Sequence, residues 1–274
     1  MHKLWIFGDS FSTSHKIAIR AYHEHCETES RKKSWLSSPQ NKYIANKYLE
    51  EGKIPQHFED IVANHFGLEC GENYNKAGGG FSNYDILETI GKTLPFINEE
   101  DFVIIGWSDP SRFRLLNSKS EWQHMHAAGV DLPLEFFSGF KDMTDSFRAA
   151  LQRLTSLRFI NDYNDVAKPF HKTIHELKSW VNLINKALPK NTIHWTPFGG
   201  AYFSNRDITD YNLFHYPNPD NGLVNLSIGD ETNGENDDGH YSETGHIKVG
   251  KEMCKWFDNP KKLYPYGKRL INLI

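Results

Sequence analysis

The chain predicts an α/β fold with a parallel sheet, on three observations. Short apolar runs at Leu4-Trp5-Ile6-Phe7, Phe102-Val103-Ile104-Ile105 and Thr192-Ile193-His194-Trp195 read as buried strands. Stretches with helical periodicity separate them, and that alternation is the signature of parallel βα units. The residues able to do chemistry sit just after a predicted strand or just before a predicted helix, and open α/β sheets collect functional groups at the carboxyl ends of their strands.

Taken in order, Leu4–Phe7 is a strand ended by Gly8-Asp9-Ser10. Residues 11–50 are polar and read as irregular, long for a connection, and suited to covering a site. Pro55 opens a helical pattern with Phe58, Ile61, Val62 and Phe66 at three- and four-residue spacing, and Gly67 ends it. Asn83 to Thr93 carries Ile86, Leu87 and Ile90 on one face. Phe102–Ile105 is the second strand, stopped at Gly106. Residues 141–160 and 170–188 show helical periodicity, and Thr192–Trp195 is the third strand. Residues 199–236, rich in Asn, Asp, Gly and Pro, read as a long loop. His246 to Phe257 closes the pattern as a helix.

Bulk properties narrow the function. The formal net charge is −4, which speaks against a protein held on nucleic acid by counterion release, since that needs a basic face. Arg31-Lys32-Lys33 is a short basic run that reads as a solvated loop. Cys26, Cys70 and Cys254 are odd in number and fit neither a disulfide framework nor a zinc motif, so free thiols in a reducing compartment are expected. No segment reaches the ~18 apolar residues of a membrane helix, and the first apolar run is too short for a signal peptide. The expectation is a cytoplasmic protein with no membrane or nucleic-acid partner.

Four motifs carry chemistry. Gly8-Asp9-Ser10-Phe11-Ser12 places a serine on a tight turn after a strand, where the hydroxyl is exposed and the serine N–H faces a developing oxyanion. The same residues also make ordinary Asx turns. Asn75-Lys76-Ala77-Gly78-Gly79-Gly80-Phe81-Ser82-Asn83 lets backbone approach a ligand before a helix. It serves equally as a helix entry capped by Ser82 or Asn83, and without a Gly-Lys-Ser/Thr ending it makes a poor phosphate loop. Gly106-Trp107-Ser108-Asp109-Pro110-Ser111-Arg112 puts polar groups at the end of a strand, or is simply an Asp-Pro turn. In Asn236-Asp237-Asp238-Gly239-His240, a carboxylate three residues before a histidine can accept its Nδ1–H and leave Nε2 to take a serine proton. That loop also caps the terminal helix, through Ser242. The acidic residues from Asp230 to Asp238 lack the spacing of an EF-hand calcium loop.

In their order and contexts these blocks resemble the SGNH hydrolases, also called GDSL-like lipases and esterases. Gly8, Asp9 and Ser10 match the family's first block, and Asn75, Ala77 and Gly80 fall on its second. Asp237, His240 and Gly245 match its last block. The nucleophile is early and the Asp–His pair late, unlike the mid-chain Gly-x-Ser-x-Gly elbow of α/β-hydrolases. The third block departs from the pattern: the family has Gly-x-Asn-Asp, whereas this chain has Gly106-Trp107-Ser108-Asp109.

The resemblance implies a three-layer α/β/α sandwich with a short, mostly parallel, flavodoxin-like sheet. It implies a single domain over 1–274 with loop insertions at 11–50 and 199–236. It implies a serine esterase acting on a short acyl group such as acetyl, with Ser10 as nucleophile, His240 as base and Asp237 as its partner, Asp238 being the rival. The oxyanion donors would be the N–H groups of Ser10 and Gly80, helped by the Ser108 hydroxyl. No metal or organic cofactor is needed, and the partner is a small-molecule or carbohydrate ester. Acyl transfer to a sugar hydroxyl uses the same residues, and a non-catalytic binding or structural protein on the same fold is the third reading. Outside these blocks, His124 and His126 lie two apart, a spacing that would let them pair on a strand edge, but without a third ligand they read as solvated loop histidines. His171 and His175 share a helix face and read as a structural pair, without the Glu context of a metalloprotease.

Overall fold

The computed structural model describes residues 1–26, 28–108, 112–116, 122–126, 179–196, 227–228 and 239–258. Its centre is a parallel three-stranded sheet in the order β1 (Leu4–Phe7), β2 (Phe102–Gly106), β5 (Thr192–Trp195). The register pairs Phe7 with Ile105 and Ile105 with His194, so the carboxyl ends of all three strands lie together. On the far side of β1 runs the segment 69–76, which turns at residues 71–74 and bridges to the β1 side at Glu69 and Asn75. It is bound by Leu4 N–H to the Glu69 carbonyl at 2.8 Å, Ile6 N–H to Tyr74 at 3.0 Å and Lys76 N–H to Ile6 at 2.7 Å. The chain therefore leaves β1 first to one side and later to the other. The carboxyl end of β1 is a topological switch point, where open α/β sheets form a crevice.

Two-sided burial explains why these strands are uninterrupted apolar runs. Leu4 and Ile6 face one layer with Ile104, Ile193 and Trp195. There they meet Phe58 and Val62 of α4 (Phe58–Phe66) and Val249 and Met253 of the terminal helix α6 (Glu243–Asp258). Trp5, Phe7, Val103 and Ile105 face the other layer. It holds Ile86 and Ile90 of α5 (Asn83–Thr93) and Val181 of the helical residues 179–184. Helices thus cover both faces.

The helix ends follow local chemistry. α4 starts with a capping box, His57 accepting at the first turn while Asp60 reaches back, and stops at Gly67 in the left-handed region (φ +65°). Ser82 and Asp85 form the capping box of α5. α6 begins at Glu243, three residues before the sequence expectation, because Ser242 Oγ accepts from Gly245 N–H at 3.1 Å.

The reading of residues 11–50 as irregular is corrected. They fold into α1 (His15–His25), α2 (Glu29–Trp35) and α3 (Pro39–Glu51). Ile19, Tyr43 and Ile44 make a small core of their own with Ile228. Arg112–Leu116 (β3) and Trp122–His126 (β4) pair as an antiparallel hairpin, so His124 and His126 lie on a strand rather than in a loop. The helical expectation for 141–160 and for 170–178, His171 and His175 with it, and nearly all of the 199–236 loop lie outside the described residues. The three cysteines are free thiols. Among the described residues no helix is long and apolar enough to cross a membrane.

Candidate functional site

The turn after β1 is built by Asp9. Its Oδ1 accepts Phe11 N–H at 3.1 Å, and its carbonyl accepts Ser12 N–H at 3.0 Å. The Asx turn and the exposed-serine reading therefore describe one structure: the Asx turn is what lifts Ser10 out. Two glycines let the turn sit this close to the sheet. A Cβ on Gly8 would lie 2.4 Å from Ser12 Oγ, and one on Gly106 would lie 2.3 Å from the same atom and 2.8 Å from Trp195 Nε1. Such contacts are far inside van der Waals range, so both positions require glycine for close approach.

Ser10 Oγ lies 2.8 Å from His240 Nε2, across 230 residues of sequence. His240 is in the short link between Gly239 (φ +76°) and Ser242, ahead of α6. Its carbonyl accepts Ile228 N–H at 2.8 Å, and Tyr241 bridges to Ser227, which anchors the link from behind. Both Ser10 and His240 are half-buried. This is the nucleophile–base contact a serine hydrolase needs, in reach for direct proton transfer. Asp237 and Asp238, the two candidates for the partner of His240, lie outside the described residues, as does Asp109.

Gly80 is exposed in the left-handed region (φ +79°), where glycine carries no steric cost. Its run is pinned beside the Ser10 turn, because Gly78 N–H donates to the Gly8 carbonyl at 3.1 Å. Asn75 is the second tie. Its Nδ2 donates to the Ser12 carbonyl at 3.0 Å and to Glu59 Oε2 at 2.8 Å, and its Oδ1 accepts Ala77 N–H at 3.1 Å. The glycine run and the serine turn are thus bound together from below.

Ser108 is placed differently from the sequence expectation. Its hydroxyl donates to Asp9 Oδ2 at 2.9 Å, which commits the single proton that an oxyanion would have needed. Its backbone is gripped by Asn83: Nδ2 donates to the Ser108 carbonyl at 3.0 Å and Oδ1 accepts its N–H at 2.8 Å. Ser108 therefore ties the end of β2 to both the Asp9 turn and the start of α5.

Several residues that matter here have no role assigned from the sequence. Phe11 stacks face to face on the His240 ring, with centroids 4.4 Å apart and planes 16° from parallel. Gln40 Nε2 donates to the Ser10 carbonyl at 3.3 Å, so α3 touches the Ser10 turn, and Tyr43 Oη accepts Glu243 N–H at 3.0 Å at the head of α6. Glu59 is fully buried and accepts from both Asn75 and the Ser14 hydroxyl, and burial pushes its carboxyl above the usual range.

Beneath the site, His15, His57 and His246 pack ring against ring, with centroids 5.1, 4.6 and 4.4 Å apart. Burial drives His15 down to about 4 and the other two well below their ordinary value, so all three are neutral at pH 7. His15 Nδ1 sits 2.9 Å from the Pro55 carbonyl and is therefore its protonated nitrogen. His57 Nδ1 accepts Glu59 N–H at 3.3 Å, leaving its proton on Nε2. Among the described residues, no group of three His, Cys, Asp or Glu side chains is placed to hold a metal ion.

Adjacency to Ser10 was the sequence signal that could have found Phe11. The histidine cluster and Glu59 have no such signal, since tertiary packing alone assembles them. Comparison with protein-family models, with curated protein sequences and with solved structures finds no match to this chain.

Proposed function

We propose that this chain is a serine hydrolase of the SGNH type that cleaves carboxylic esters of small molecules or carbohydrates. The observation that carries the reading is the 2.8 Å contact between Ser10 Oγ and His240 Nε2 at the carboxyl end of β1. Support comes from helices on both faces of a parallel sheet, as in the three-layer sandwich of that family, and from the glycine run held beside the turn.

Ser10 attacks the ester carbonyl carbon while His240 Nε2 accepts its proton. The tetrahedral oxyanion is received by the N–H groups of Ser10 and Gly80. His240 then protonates the leaving alcohol, and water, deprotonated by the same nitrogen, releases the acid from Ser10. Asp237 is assigned to orient the His240 ring through Nδ1. Ser108 is assigned to hold Asp9, and with it the turn. The chemistry calls for no metal or cofactor. Free cysteines fit a reducing cytoplasmic setting.

The test is hydrolysis of p-nitrophenyl esters of increasing chain length and of acetylated sugars, with an alcohol acceptor present in a parallel arm. Wild-type turnover that favours short acyl groups and vanishes in Ser10→Ala supports the reading. Transfer to the alcohol in place of acid release redirects it to acyl transfer. Equal turnover by Ser10→Ala overturns it.

A further inference from the structure

The nucleophile turn also carries a seat for the base. Phe11 follows Ser10 directly and is buried, and its ring covers the face of His240 at 4.4 Å and 16°. Phe11 is itself fixed: its backbone N–H donates to Asp9 Oδ1 at 3.1 Å, and Tyr241 meets its ring edge-on, with centroids 5.7 Å apart at 71°. Tyr241 in turn lies against Trp195 of β5 and against His246. A line of packed rings therefore runs from the sheet through Tyr241 and Phe11 to the catalytic imidazole.

The χ2 torsion of histidine is broad, so rotamer preference alone leaves the ring plane loose. A face contact removes that freedom, because turning the imidazole out of plane would drive its edge into Phe11. The ring that keeps its plane keeps Nε2 aimed at Ser10 Oγ. Because Ser10 and Phe11 are adjacent on one hydrogen-bonded turn, the nucleophile and the surface orienting its base move as one piece. We propose that Phe11 is a positioning residue for His240, acting through ring stacking. The proposal rests on the serine-hydrolase reading of Ser10 and His240.

The experiment compares wild type with Phe11→Leu, Phe11→Met and Phe11→Tyr. It measures the rate of fluorophosphonate labelling at Ser10 and, with the best p-nitrophenyl ester, kcat and KM separately. Leu and Met keep apolar bulk and lose the flat face; Tyr keeps the face. Misaimed catalytic groups cost about ten- to a hundredfold in rate. The expected result is a kcat and labelling loss of that order in Leu and Met, with KM little changed and Tyr within about threefold of wild type. Met serves where Leu does not fold. Wild-type rates in folded Leu or Met variants overturn the proposal while leaving the hydrolase reading intact. Equal loss in Tyr and Leu overturns it as well, since a flat ring would then not be the agent. A wild-type protein that neither labels nor turns over removes the hydrolase reading, and this proposal with it.

Discussion

Mild acid should unfold this protein, and the histidine cluster under the site sets the size of the effect. His15, His57 and His246 are each 1% exposed and neutral in the folded chain. In the unfolded chain they titrate near 6.5. Below that pH the unfolded state takes up protons the folded state refuses, so stability is full above about pH 6.5 and falls as the pH drops. For His15 the loss continues to about pH 4. That interval, at 1.36 kcal/mol per pH unit, makes about 3 kcal/mol from His15 alone. A domain has about 5–15 kcal/mol in total, and the other two rings, also held well below their ordinary value, add to the loss. Glu59 acts in the opposite sense: burial raises its pKa, so above the ordinary carboxyl range its contribution grows as pH falls. One carboxyl offsets only part of three imidazoles.

The assay is urea unfolding at pH 7.5, 6.5, 5.5 and 4.5, for wild type and His246→Phe. Among the described residues neither ring nitrogen of His246 has a hydrogen-bond partner, so replacing this ring removes a titrating group without breaking a bond seen there. Wild type should lose at least about 3 kcal/mol across the series, and His246→Phe should lose measurably less. A flat wild-type profile, or an identical slope in the variant, would refute the reasoning.

Two further substitutions probe the site. Ser108→Ala removes the hydroxyl that donates to Asp9 and should lower stability by about 1 kcal/mol, the net worth of a typical hydrogen bond. Its kcat should stay within a few-fold of wild type, and a large kcat loss in a protein of unchanged stability would return Ser108 to the oxyanion hole. Asp237→Asn should reduce kcat by orders of magnitude, as loss of the orienting carboxylate does in other triads. Asp238→Asn should act weakly, and the reverse ranking would reassign the partner.

The elements legible in the sequence were those buried on two sides or closed by a strong stop. β1, β2 and β5 are unbroken apolar runs because helices cover both faces of the sheet. α4 and α5 were bounded by Gly67 and by the Ser82–Asp85 box. Residues 11–50 misled because α1–α3 bury few apolar side chains, chiefly Ile19, Tyr43 and Ile44 against Ile228. Their signals were local instead: Ser38 before Pro39 is a helix start, and Gly52, left-handed at φ +67°, is a helix stop. In the site, the order of motifs pointed to Ser10 and His240, which the fold brings together. The acceptor of Ser108 was not legible, because it depends on which way the Asp9 carboxylate faces once the turn has formed. Nor were His15, His57 and His246, which come from a helix start, a cap and a terminal helix.

The central claim is that Ser10 is a nucleophile activated by His240. Intact-mass and peptide analysis after exposure to a fluorophosphonate tests it most directly. The account predicts one adduct per chain on the peptide containing Ser10, no adduct in Ser10→Ala, and labelling slowed at least about a hundredfold in His240→Ala. A wild-type protein that stays unmodified, or one whose adduct persists in Ser10→Ala, would contradict it.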